Sequence, residues 1–204
     1  MTDSRTLLLD AAAEEFARHG LKGSRVQSIV QRAGVNERMI YHHFGSKERL
    51  YAAVVDHLRG RSGAGMARHI ERANGLGPYA GMRHVLTGMF DDFHAHPELI
   101  AIFLHEGLAG QDISPFPAAQ DLPSGLREIY EAGQRAGTFL ADRPFEIAYL
   151  TCVGALVGLS TYFAQRFAQS LGRPDLADPE YVRDQIISQL IDGLTGPNHG
   201  PPSP

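Results

Sequence analysis

The sequence predicts an all-α protein, with an N-terminal three-helix unit joined to a larger helical body and about nine helices in all. Three observations carry this. Apolar residues recur at a 3.6-residue period along most of the 204-residue chain. Alternating strand patterns are nearly absent. Glycines and N-capping residues punctuate the periodic stretches where helices have to end and begin.

Composition narrows the classes. With 43% hydrophobic and 21% charged residues, the chain is built like an ordinary globular protein. No run of about 18 apolar residues is present, so no membrane-spanning helix is expected, and Met1-Thr2-Asp3-Ser4-Arg5 lacks the pattern of a secretory signal. A single cysteine, Cys152, rules out an internal disulfide. A cytoplasmic location fits these features best. The net charge of −4 hides an asymmetry: residues 1–59 hold nine Lys and Arg against seven Asp and Glu, while the rest hold ten against sixteen. A basic piece on an acidic body suggests a local nucleic-acid footprint.

The first helix is expected from about Arg5 to His19, with Leu8, Ala12 and Phe16 on one stripe, and Gly20 stands where a left-handed cap belongs. Ser24 with Gln27 three residues on reads as a capping box opening the second helix, whose inner stripe is Val26, Ile29, Val30 and Ala33. Gly34 ends it, and Asn36 is a good N-cap for a short third helix, Glu37 to Phe44. Ser46 then caps a fourth helix with Leu50, Val54 and Leu58 inward. Two short helices joined by a tight glycine turn and packed on a first helix make a helix-turn-helix.

Gly60, Gly63 and Gly65 should each cost the fourth helix about 1 kcal/mol relative to Ala. They predict either fraying or an early end, or a soft joint between two parts. Gly77-Pro78 opens a fifth helix and Pro97 a sixth, to about Leu108. Residues 107–125 read as a loop, and a seventh helix runs from about 124 to 136. Two long apolar helices follow, 144–171 and 179–194, before a Gly/Pro-rich tail, 196–204, expected to be disordered.

Gly23 to Leu50, with the Ala33-Gly34-Val35 turn, the Ile40-Tyr41-His42-His43-Phe44 core and Gly45-Ser46-Lys47-Glu48-Arg49-Leu50, resembles the DNA-binding domain of the TetR family. Leu8-Leu9-Asp10-Ala11-Ala12, Phe16 and Gly20 are similar to that family's first helix. Downstream, the resemblance rests on His96-Pro97-Glu98-Leu99, His105-Glu106-Gly107 and the stretch Glu131 to Phe139. It implies DNA reading by residues 1–50, and dimerisation and ligand sensing by residues 51–195. The implied partners are double-stranded DNA, an unknown small-molecule effector and a second copy of the chain. The most natural activity is then a repressor on an inverted-repeat operator, released by a small, mainly apolar effector.

The recognition helix presents its first turn to base edges. Arg38 either forks onto guanine or holds a phosphate, and Glu37 either accepts from cytosine or complements the helix dipole. Tyr41 can reach a phosphate or a thymine methyl. His42 meets phosphate or base, and His43 does the same or buttresses the helix. Lys47, Ser24 and Arg25 are candidate phosphate ligands at helix N-termini. Gln27 matches a position that in the family contacts DNA, and Asn36 completes the candidate set. Met39 departs from the small hydroxylated residue usual there, so the operator does not follow from relatives.

In the body, Gly154 and Gly158 on the first long apolar helix allow close helix approach. With residues 179–194 it forms either a four-helix dimer interface or part of a monomer core. Candidate ligand-lining residues between helices five and eight are Phe90, Phe93, His94, Phe103, Glu106, Tyr130, Cys152 and Tyr162, each of which ordinary core packing also explains. His94-Ala95-His96 lacks metal-site spacing, so no metal and no cofactor are expected. The rival reading, a helical enzyme, finds no GxSxG, phosphate loop, HExxH or carboxylate pair.

Overall fold

The computed structural model describes residues 3–109, 122–160 and 162–195. Among them run ten α-helices: α1 (Ser4–Gly23), α2 (Val26–Ala33), α3 (Arg38–His43), α4 (Lys47–Ala73), α5 (Pro78–Ala95), α6 (Glu98–Ala109), α7 (Ser124–Arg135), α8 (Phe145–Ser160), α9 (Tyr162–Leu171) and α10 (Pro179–Thr195). A 3-10 turn, Pro174–Ala177, lies between α9 and α10. No described residue belongs to a strand. The expected tail, 196–204, and most of the expected loop lie outside the described residues.

The chain divides into two compact units. One takes in α1 to α3, α4 as far as Gly63, and α6; the other begins at Ala64 and holds the rest of α4, α5 and α7 to α10. This division differs from the 1–50 and 51–195 split, since α6 packs on α1 and adds Leu99 and Ile102 to the first unit's core. That core also buries Leu8, Ala12, Phe16, Ile29, Ile40, Leu50, Tyr51, Val54 and Leu58, with Phe16 meeting Tyr51 edge-on at 4.9 Å. The stripes of α1, α2 and α4 converge as their 3.6 periodicity requires.

Several local expectations are corrected. The first helix breaks where expected, at Gly20 (φ 62°), but a short helical stretch continues beyond it to Gly23. The capping box at Ser24 does not form: its hydroxyl donates to the Leu21 carbonyl at 2.9 Å, and Arg25 is the N-cap of α2. Glu15 acts there instead. This buried carboxylate accepts the Arg25 N–H at 3.1 Å and faces the Arg32 guanidinium at 3.6 Å. Its sequence signal was the second of two adjacent acids, Glu14-Glu15, seven residues after Leu8 and so on the inward stripe. Asn36 does serve α3, its side-chain oxygen accepting the Arg38 N–H at 2.9 Å, and Ser46 accepts the Arg49 N–H at 3.2 Å.

The glycines of α4 neither end nor fray it; the helix runs through Gly60, Gly63 and Gly65. Each costs about 1 kcal/mol, whereas every fully buried Leu or Val contributes about 1.5–3 kcal/mol, and α4 buries Leu50, Val54, Val55 and Leu58. Gly65 also has a packing reason, because a Cβ there would stand 2.3 Å from Asp92 Oδ2, which His69 holds at 3.0 Å. The expected helix 144–171 corresponds to α8 and α9, which lie on either side of Thr161, a residue outside the described ones.

The second unit's core gathers Met82, Val85, Leu86, Met89 and Phe90 of α5, Leu126 and Tyr130 of α7, Leu156 of α8, and Ile187 and Ile191 of α10. At the end of α7 the chain reverses through Gly137 (φ 74°), with the Thr138 and Phe139 N–H groups on the Gly133 carbonyl at 2.8 and 3.1 Å. This lays Phe139 across Gly133, stacked on Tyr130 at 5.5 Å.

Candidate nucleic-acid interface and interior cavity

The α2–α3 turn is set by Gly34, whose φ of 66° is open to glycine without strain. It leaves α3 with Ile40 buried and Met39 half-buried against the core, while Arg38, Tyr41 and His42 face outward together, as residues three and four apart do. Tyr41 is 53% exposed, a large aromatic ring left in water. Glu37 and Asn36 are exposed at the same end. This is the side-chain set a groove-reading helix needs: a fork donor, an acceptor and an aromatic face, on a rigid support.

Around it the candidates part company. Arg25 and Gln27 are exposed at the start of α2 and available to an anion. Ser24 is not: it is buried, its hydroxyl is bonded to Leu21, and its N–H is bonded to the Gly20 carbonyl at 3.2 Å. Asn36 commits its oxygen to Arg38, leaving only its NH2 group as a donor. Lys47 is half-buried and gives one donor to the Ser24 carbonyl at 3.1 Å, tying α4 to the entry of α2 with its other two donors remaining. His43 buttresses: its Nε2 is bonded to Ser4 Oγ at 2.9 Å, and it lies edge-on between His42 and Phe44.

The ligand candidates are divided between the two units. Phe103 packs against the first unit's core, and buried Glu106 is hydrogen-bonded to the Tyr51 hydroxyl there. Burial and that carboxylate push the Tyr51 phenol well above its ordinary range. Phe90 is core, Phe93 half-buried against it, and His94 exposed and stacked over Phe90 at 6.2 Å. The Tyr162 side chain lies outside the described residues. Of the candidates whose side chains are described, Tyr130 and Cys152 line a small cavity of the second unit, with Met82, Leu86, Met89, Leu126, Phe145, Ala148, Tyr149, Val153 and Leu194.

The cavity holds about 10 Å³, hardly a water molecule's worth. Among the described residues, no charged side chain lines it. Burial pushes the Cys152 thiol up to about 11, so it presents a neutral S–H, and burial also raises the Tyr149 phenol. The Tyr130 hydroxyl is already bonded to the Arg143 carbonyl at 3.2 Å. Unbranched Met82 and Met89, two turns apart on α5, are the lining residues that can give way most easily. The sequence missed most of this wall because it is assembled from one face each of α5, α7, α8 and α10.

The family model described as bacterial regulatory proteins, tetR family, matches residues 8–54, and the one described as tetracyclin repressor-like, C-terminal domain, matches residues 78–187. The transcriptional repressor NicS of Pseudomonas putida is 34% identical over 197 residues, covering 92% of this chain and 90% of that protein. The repressor KstR2 of Rhodococcus jostii is 29% identical over 200 residues, covering 96% and 93%. Among solved structures, the ketosteroid regulator KstR2 of Mycobacterium tuberculosis superposes with a TM-score of 0.71 at 19% identity over 97% of each chain, a likeness of fold. The chain belongs to the TetR family of bacterial regulatory proteins.

Proposed function

We propose that the protein is a ligand-responsive repressor that binds an inverted-repeat operator as a homodimer and leaves it when a small, mainly apolar molecule binds. The observation that carries this is the outward face of α3, where Arg38, Tyr41 and His42 stand exposed beside Glu37 on a helix whose other side is packed. The names of the relatives NicS and KstR2 support repression as the sense of regulation. Such a protein works beside the chromosome, in the cytoplasm. No helix of the described residues is long and apolar enough to cross a membrane.

The dimer reading draws on α8. Ile147 and Leu150 are 58% and 54% exposed, and Thr151, Gly154 and Gly158 continue the same exposed stripe. A second copy would cover apolar surface of this kind. At micromolar concentration light scattering should give twice the monomer mass, and a monomer alone overturns the dimer.

The effector reading draws on the uncharged cavity of the second unit. Because that cavity is so small, a ligand has to enlarge it, and the enlarged state is then the one stabilised. The whole proposal is tested on DNA from the chromosomal region upstream of the coding sequence. The protein should retain such a fragment, protect it with two-fold symmetry, and release it to a compound that also raises its melting temperature, as reciprocal linkage demands. Absence of sequence-selective binding to any promoter fragment overturns it.

A further inference from the structure

The unit that carries α3 places one more cation at the edge of the same surface, from a helix with no DNA contact assigned to it. The Ser4–His43 hydrogen bond fixes the first turn of α1 to the last turn of α3. One residue on, Arg5 is exposed, and its guanidinium carbon lies 5.5 Å from the centroid of the Phe44 ring. Phe44 is itself buried, so the ring is a fixed platform beneath the side chain. Arg18 and Arg32 of the same unit are paired with Glu14 at 3.6 and 3.4 Å. Among the described residues no carboxylate pairs with Arg5, which keeps its full fork of donors for an outside anion.

We propose that Arg5 is a DNA-backbone contact that holds the phosphate flanking the C-terminal end of α3. The proposal rests on the DNA-reading assignment above. Six residues make α3 about 9 Å long, while the major groove is about 12 Å wide. A helix that puts Arg38 at the base edges therefore brings its other end, with His42 and His43, up to the sugar–phosphate wall. Arg5 stands at that end, held by Phe44 and aimed by the Ser4–His43 bond. A planar guanidinium suits two phosphate oxygens at once. The contact carries no sequence information; it fixes register on the duplex.

The test needs no operator. Binding of the full chain to a labelled 30-base-pair duplex of random sequence is followed by anisotropy across a salt series, for the wild type and for Arg5→Ala, Arg5→Lys and Arg5→Met. Removing one phosphate contact should lower the slope of log K against log salt by about 0.9 per subunit. Arg5→Ala and Arg5→Met should both show that loss, and Arg5→Lys should keep the wild-type slope. Arg5→Met retains an apolar stem over Phe44, so a wild-type slope there shows that the residue only packs, and removes Arg5 from the interface. Melting temperatures measured alongside identify any variant whose fold is disturbed, and Arg5→Met then decides. If the wild type itself shows no salt-dependent binding, the DNA-reading assignment falls with the proposal; a normal wild-type slope with an unchanged Arg5→Met slope removes Arg5 alone.

Discussion

Arg38→Ala is expected to cost about 1–3 kcal/mol per half-site on the operator, roughly 5- to 150-fold each, and far less on random DNA. Arg38 is exposed in the first turn of α3, where the Asn36 side chain holds its backbone N–H and leaves the guanidinium free to reach a base edge. A bidentate fork on guanine discriminates among bases in a way a phosphate contact does not. Arg38→Lys should restore general affinity better than specificity, because it returns the charge without the fork. Equal losses on operator and random DNA would make Arg38 a backbone contact and pass base readout to Tyr41, His42 or Glu37. The opposite pattern is expected at Arg5, and the two variants together separate reading from holding.

Gly133→Ala should destabilise the protein by about 1–3 kcal/mol, the usual cost of forcing an extra carbon into a packed core. For a chain of this size the melting temperature should fall by several degrees. A Cβ at Gly133 would lie 2.1 Å from Phe139 Cδ2 and 2.5 Å from its Cε2. Phe139 is 2% exposed and stacked on Tyr130, so the ring has little room to retreat. Tyr130 lines the cavity, which makes the same substitution a perturbation of the cavity wall. A double-mutant cycle with Phe139→Ala checks the cause. If the overlap is responsible, Gly133→Ala should cost far less once the ring is gone; an unchanged cost would place the strain elsewhere.

The all-α class and the DNA-reading elements were legible in the sequence because local chemistry dictates them. Turn glycines such as Gly34, the caps at Asn36 and Ser46, and the inward stripe of Leu8, Ala12 and Phe16 act over a few residues, and a linear pattern records them. Other features needed contacts between distant residues. Glu15 caps α2 from α1, ten positions before the residue it serves. His43 is set by Ser4, thirty-nine positions away. The glycines of α4 read as breakers because local propensity disfavours them, yet burial along the helix outweighs that cost.

The ligand candidates show the same boundary. Phe103 and Glu106 have the composition of a binding wall, and only the packing of α6 on α1 decided that they belong to the first unit. The sequence by itself determined which faces are apolar and where helices start and stop, since those follow from periodicity and capping. The tertiary structure decided which apolar faces meet, which polar group answers which N–H, and that Gly133 is a seat for Phe139. Those choices depend on packing and hydrogen-bond satisfaction between residues that the chain order keeps apart.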